Sequence, residues 1–416
     1  MSDKVVLIIS ARGANDAIRC LMEDYAAALE EVGLSIIQIA PEPAELQYAV
    51  ELMRKDSVSF AMTWLGIGQS LDIQIGSDKT VVNAFEAFGT TLVKLQGDLP
   101  AYFLERHADV PRNSVNLYQA DEFVRYRRRW LPEARALTSL IPPMVMAPVD
   151  RDKIDFAKRR DGRIFFLKNG NSPAELKNLW HSRLPASVAR LTEAMAGEVT
   201  ASGTRPGSLY IGDFVANFLQ KERVCADPPP NLVAFLSAQM DDYLRRVKST
   251  MIAESILDLP VIVQGSFWQH VNFDGKKARL VDGQDVDASQ QILQSQLAVI
   301  DMSPNVDDWP HDRVQRGAGS FALVLTNRQG WLTRHFPEFE ELAFDFDPES
   351  IKAKVADVIA NPERYLEQAV AFGERFREIY PREGFANRVI DLAELSTLLW
   401  NEPKPALQSF FSWPKR

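Results

Sequence analysis

The stretch Leu297–Asn327, LAVIDMSPNVDDWPHDRVQRGAGSFALVLTN, decides the fold. Its ends, Leu297–Met302 and Ala322–Thr326, are short apolar runs with branched residues, the composition of parallel strands covered on both faces. Between them a polar loop passes Pro310 into His311-Asp312-Arg313 and a short helical segment. Strand, loop, helix and strand in this order make the repeating unit of a doubly wound α/β sheet. Such sheets bind ligands outside the carboxyl ends of their strands, where an imidazole, a carboxylate and a guanidinium stand here in consecutive positions. The triplet is the first site candidate.

The same alternation runs back to the N-terminus. Val5–Ile9, Leu34–Ile39, Val58–Leu65 and Thr91–Leu95 read as strands, with helices over Asp16–Val32, closed by Gly33, Glu42–Lys55 and Val81–Phe88. Ser114–Leu117 is a further strand, and Asp121–Trp130 a helix whose Arg125, Arg127, Arg128 and Arg129 read as a solvated face. Ile141-Pro142-Pro143 to Pro148 and the charged Asp150–Arg160 interrupt the pattern. It restarts at Arg163–Leu167 and continues through helices over Pro173–Thr200, Ser208–Leu219 and Asn231–Leu257 and a strand Pro260–Gln264. After Leu297–Asn327 come a strand Ala343–Phe346 and helices Pro348–Ala360, Pro362–Tyr380 and Phe385–Leu399. The expected architecture is α/β, two Rossmann-like doubly wound parallel sheets facing a cleft. The domains are residues 1–148 and 149–400, with a tail, 401–416, available to pack on the first domain.

Bulk properties agree. A chain of 416 residues exceeds one ordinary core and suits two domains of roughly 150–250 residues. A formal net charge of −9 disfavours nucleic acid as a partner, while leaving room for a local basic patch that holds one phosphorylated ligand. Two cysteines, Cys20 and Cys225, support neither a disulfide framework nor a thiolate metal cluster. Met1–Lys4 runs directly into an apolar strand without signal-peptide features, and no run reaches the roughly 20 apolar residues of a membrane span. A cytoplasmic protein is expected, with peripheral membrane contact left open.

Leu297–Asn327 resembles the donor-domain signature of spore-maturation (CgeB-like) glycosyltransferases, within the two-Rossmann GT-B class. The resemblance is carried by His311-Asp312-Arg313-Val314 and Ala322-Leu323-Val324-Leu325-Thr326, spaced as in that group. Phe336-Pro337-Glu338 through Glu341, Asn361-Pro362-Glu363-Arg364 with Arg388, and Leu259–Gly265 with Trp268 extend it. In the first half it is loose, through Gly66-Ile67-Gly68, Asn83 and Gly97-Asp98-Leu99-Pro100. Two positions depart from the group: Arg316 stands where members carry an acid, and Phe321 where they carry glycine.

The resemblance implies transfer of a sugar from a nucleotide-activated donor to a glycan or protein acceptor. No metal and no cofactor beyond the nucleotide-sugar co-substrate is implied. Leaving-group diphosphate without metal requires cations and helix N-terminal amides. Arg313 fits that demand, His311 suits a phosphate or sugar oxygen, and Asp312 suits orienting Arg313 or capping its helix. Lys168, Asn169 and Asn171 stand at a strand's carboxyl end, where site and turn readings balance. Gly265 and Trp268 offer close approach and a stacking surface, and Glu341 follows from the resemblance. A general base in the first domain would be Asp98 or Asp16, each also a plausible helix cap. Asp307-Asp308 and Asp345-Phe346-Asp347 read as loop and cap acids rather than metal ligands. Only one glycine of a dinucleotide fingerprint is present in Ser10–Asn15, which disfavours a nicotinamide-dependent enzyme. A non-catalytic sugar-nucleotide or glycan binder, and a sugar-nucleotide epimerase of the same fold, are the competing readings.

Overall fold

The computed structural model describes residues 4–10, 16–75, 80–107, 111–131, 136–203, 209–303, 305–400 and 411–412. It divides into two compact units, Met1–Pro142 with Arg382–Arg416, and Pro143–Pro381. The first runs β1 (Val5–Ile9), α1 (Asp16–Glu31), β2 (Ser35–Ile39), α2 (Pro43–Arg54), β3 (Val58–Trp64), β4 (Asp72–Ile75), β5 (Thr80–Asn83), α3 (Ala84–Phe88), β6 (Thr91–Gln96), β7 (Ser114–Tyr118), α4 (Asp121–Trp130) and β8 (Leu137–Leu140). Its main sheet has the order β2-β1-β3-β6-β7-β8 with every pairing parallel. β6 and β7 are buried along their whole length, as parallel strands covered on both faces must be.

The second unit runs α5 (Phe156–Arg160), β9 (Ile164–Leu167), α6 (Pro173–Arg183), α7 (Ala186–Gly203), α8 (Ile211–Lys221), α9 (Pro230–Ser255), β10 (Val261–Gln264), β11 (Arg279–Val281), α10 (Val286–Ser295), β12 (Ala298–Ile300), α11 (Asp312–Ser320), β13 (Leu323–Asn327), α12 (Gly330–His335), β14 (Ala343–Phe344), α13 (Pro348–Ala360) and α14 (Pro362–Ile379). The sheet order is β11-β10-β9-β12-β13-β14, again all parallel. β10 and β11 therefore build outward on one side of β9, and β12, β13 and β14 on the other. In open α/β sheets such a reversal of strand order marks where ligands bind, here at the carboxyl ends of β9 and β12.

Four details differ from the sequence expectations. Thr80–Asn83 forms a hairpin with β4, leaving only Ala84–Phe88 helical, because β-branched Thr80, Val81 and Val82 favour extended backbone and Asn83 caps the helix by accepting from the Phe85 amide. The expected single helix over 173–200 is two, α6 and α7, divided at Leu184-Pro185 because Pro185 brings no N–H and its ring obstructs the preceding turn. Arg127 is buried, while Arg125, Arg128 and Arg129 are exposed as expected.

The fourth concerns the unit limits, expected at 148 and 400. The final helix, α15 (Arg382–Leu399), belongs to the first unit. Arg382 donates to Glu31 at 3.0 Å and to the Asp24 carbonyl at 3.1 Å, and Phe385 stacks on Tyr25 with centroids 4.7 Å apart. Periodicity marks an apolar helix face but not the core it meets. Of the tail, Phe411–Ser412 pair antiparallel with β4 in the first unit, and residues 401–410 and 413–416 lie outside the described residues. Among the described residues no helix is long and apolar enough to cross a membrane.

Candidate functional site

At the reversal in the second sheet, Lys168 follows the last residue of β9 and Asp301 follows the last residue of β12. Asp301 is fully buried. One of its oxygens lies 2.9 Å from His311 Nδ1 and accepts from Arg313 at 3.1 Å. His311 Nδ1 lies equally close, 2.9 Å, to the Asp312 carboxylate. The imidazole thus stands between two carboxylates. The sequence passed over Asp301 as the end of an apolar strand. An acid placed directly after the three buried residues of β12 was the available signal.

The charges define the site. Burial opposes protonation of His311, but Asp301 and Asp312 outweigh it and push the imidazole up to about 9. Burial likewise opposes the Asp301 charge, and His311 with Arg313 holds its carboxyl below the usual range. Asp312, half-exposed, is also held low, the partial desolvation of its carboxyl outweighed by His311, then Arg313 and Arg316. Burial, followed by the charges of Arg313 and Arg245, pushes the Lys168 amine down to about 8. At neutral pH, then, protonated Lys168 and His311 stand with Arg313 beside one sequestered carboxylate.

α9 adds a second bank of charge. Arg245 pairs with Asp241 at 2.7 Å, and Lys248 donates to Asn305 Oδ1 at 2.9 Å while its amine lies 4.5 Å from the Phe346 ring centre. Asn305 donates in turn to the Asp241 carboxylate at 2.9 Å. Burial pushes Lys248 down to about 8. Asp241, Arg245 and Lys248 share one face of α9, and that spacing was readable in the sequence.

Lys168, His311, Asp312 and Arg313 are thus brought together. Asp312 faces His311 rather than capping α11, whose N-cap makes no side-chain hydrogen bond. Asn169 joins from the next position by accepting the Ser266 amide at 2.9 Å, and Asn171 is exposed just beyond. At Gly265, φ is 154° and a Cβ would overlap the Lys168 carbonyl, so glycine there permits β10 to meet the β9 turn.

Trp268 does not offer the stacking surface expected of it. It is 1% exposed, its indole N–H donates to the Lys168 carbonyl at 2.8 Å, and Gly170 lies against its ring. It is a core residue that braces the β9 turn. Glu341 is exposed before β14 and accepts from Gln368 on α14 at 2.6 Å, outside the His311 cluster. Arg316 is buried one turn beyond Asp312. Phe321, standing where the resembled group has glycine, closes α11 at φ 52°, its ring 4.3 Å from the Arg377 guanidinium carbon.

In the first unit Asp98 is half-buried two residues past β6. Asp16 opens α1; its side chain and residues 11–15 lie outside the described residues. Asp307 accepts the Gly330 amide, Asp308 pairs with Arg334, Asp345 pairs with Arg328 and Asp347 caps α13, the loop and cap roles read from the sequence.

No family model and no curated protein matches this chain. Among solved structures it is similar to an alpha-glucosyltransferase in complex with UDP, at 9% identity and a TM-score of 0.52, over 94% of this chain and 99% of that one. It is also similar to the sucrose-phosphate synthase of Thermosynechococcus elongatus, at 11% identity and a TM-score of 0.51, over 95% of this chain and 100% of that one. The fold class is GT-B, two Rossmann-like α/β domains along nearly the full chain.

Proposed function

We propose that this protein is a glycosyltransferase whose second unit holds a nucleotide-diphosphate sugar by its phosphates at Lys168, His311 and Arg313. One observation carries the reading: at the point where the strand order reverses, three cations gather around two carboxylates, buried Asp301 and half-exposed Asp312, leaving an excess of positive charge. Such a site draws an anion, and the amides opening α11 add to its pull. The UDP-bound alpha-glucosyltransferase of the same fold class supports a nucleotide as that anion. The resemblance around His311-Asp312-Arg313-Val314 supports a spore-maturation-type donor domain.

In the transfer, the bond from the anomeric carbon to the diphosphate breaks, and its electron pair leaves with the diphosphate. Arg313, Lys168 and protonated His311 neutralise that charge in place of a metal. The acceptor, a glycan or a protein hydroxyl received by the first unit, forms the new bond and gives up its proton, with Asp98 as base in an inverting reaction. Arg316, a cation where the resembled group has an acid, favours a second reading in which the site binds a sugar nucleotide without turnover.

The test is a thermal-shift panel of UDP-, GDP-, CMP- and dTDP-sugars on the full chain. At least one donor is expected to raise the melting temperature, and Arg313→Ala is expected to abolish that rise in a chain that still unfolds cooperatively, from a lower ligand-free melting temperature because buried Asp301 loses a partner. A flat panel overturns the donor reading, and an unchanged shift in Arg313→Ala removes Arg313 from the site. Release of free nucleotide with acceptor present separates enzyme from binder.

A further inference from the structure

Beside the phosphate site stands an aromatic residue that the chain holds outward. Phe267 is 58% exposed, while its neighbour Trp268 is 1% exposed. Its φ is 66°, in the left-handed region that a residue with a bulky side chain seldom occupies. Strain of this kind persists only where the surroundings enforce it. Here they do so from both sides. The Ser266 amide donates to Asn169 Oδ1 at 2.9 Å and the Ser266 carbonyl accepts from Gly170 at 2.8 Å, while Trp268 donates to the Lys168 carbonyl at 2.8 Å. Both neighbours of Phe267 are pinned to the Lys168–Gly170 turn, so its backbone is fixed relative to Lys168.

Apolar side chains are also exposed on the neighbouring edge strand. The Gly265 amide donates to the Val281 carbonyl at 3.1 Å, tying this loop to the edge strand β11, where Leu280 is 42% exposed and Val281 38%. From Lys168 outward, the carboxyl edge of the sheet thus passes from a cation at β9 to exposed apolar side chains, Phe267 after β10 and Leu280 and Val281 on β11, with Arg279 and Asp282 exposed beside them. A nucleoside diphosphate has the same sequence of chemistry, a doubly ionised end and a flat base.

We propose that Phe267 is the stacking platform for the base of a nucleoside diphosphate whose phosphates occupy the Lys168–Arg313 site. This rests on the donor reading above and assigns it a subsite that recognises the π face of the base. Stacking on an aromatic ring is sequence-tolerant, because every base has a π face. Phe267 therefore contributes affinity for nucleotide over bare phosphate rather than choice among bases.

The experiment is calorimetric titration of the full chain with UDP, GDP and inorganic pyrophosphate. Phe267→Ala is expected to weaken UDP and GDP binding about 10- to 100-fold while leaving pyrophosphate unchanged, and Phe267→Trp is expected to keep nucleotide affinity. Phe267→Gly adopts φ 66° without strain, so it should melt no lower than the native chain yet show the same nucleotide loss, which separates the missing ring from a damaged fold. Native-level nucleotide affinity in Phe267→Ala and Phe267→Gly overturns the stacking role alone, with the phosphate site standing. Equal loss of pyrophosphate also overturns it. A native chain that binds none of the three ligands removes the donor site, and Phe267's role with it.

Discussion

Replacing Asp301 with asparagine takes one negative charge out of a fully buried position and keeps the side chain's shape. In the native chain burial alone would depress the His311 pKa, yet the two carboxylates raise it from 6.5 to about 9. That displacement is worth roughly 3 kcal/mol, at about 1.4 kcal/mol per tenfold change in proton affinity. Because the folded value is the higher one, this stabilisation is fully present below pH 6.5 and is lost as pH rises through about 9. Asp312 is 44% exposed on its side chain and Asp301 not at all, so solvent screens Asp312 and Asp301 carries the larger part. Asp301→Asn should therefore cost on the order of 2 kcal/mol at pH 6, and less at pH 9.5 where the native chain has already lost the same term. Urea titrations at both pH values, followed through the buried indoles of Trp268, Trp309 and Trp331 in the second unit, measure it. Lys168 and Lys248, both pushed down to about 8, titrate in native and variant alike, so the reading is the gap between the two midpoints, which should be widest at pH 6 and shrink by pH 9.5. Parallel pH dependences in the two proteins would refute the claim that Asp301 holds the His311 charge.

Two further outcomes follow from the same site. Lys168 is pushed down to about 8 by burial, then by Arg313 and Arg245, and a bound diphosphate restores its proton. UDP affinity should be greatest below pH 8 and fall as pH rises through that value, with Lys168→Met weaker and flatter; a native affinity constant from pH 7 to 9 would contradict it. Gly265→Ala puts a methyl group against the Lys168 carbonyl at a φ of 154°, which should cost about 2–4 kcal/mol and displace Lys168. Differential scanning calorimetry should show the lowered transition, and a native-like melting temperature would mean the β9 turn yields cheaply.

Local patterning carried a good deal of this. Short branched apolar runs such as Ala298–Ile300 and Leu323-Val324-Leu325 suit covered parallel strands, and their regular alternation with helical segments made that reading available from neighbouring residues alone. His311, Arg313 and Lys168 were readable as strand-end and helix-start polar residues. What each would touch was not. Trp268 and Phe267 are adjacent aromatics, and nothing in their order says which faces the core; the hydrogen bond from the Trp268 indole to Lys168 decides it.

By itself, then, the sequence determined that the chain is α/β, wound twice, with cations gathered at strand ends, because burial period and residue type are local properties. Tertiary structure decided the rest. It set β9 and β12 side by side, so that Asp301, ten residues before His311, became the carboxylate on which the site's cations converge. It also carried α15 back to the first unit through Arg382 and Phe385. These are long-range pairings, chosen by the packing of whole sheets and by charge compensation in a buried place, and no window of neighbouring residues contains them.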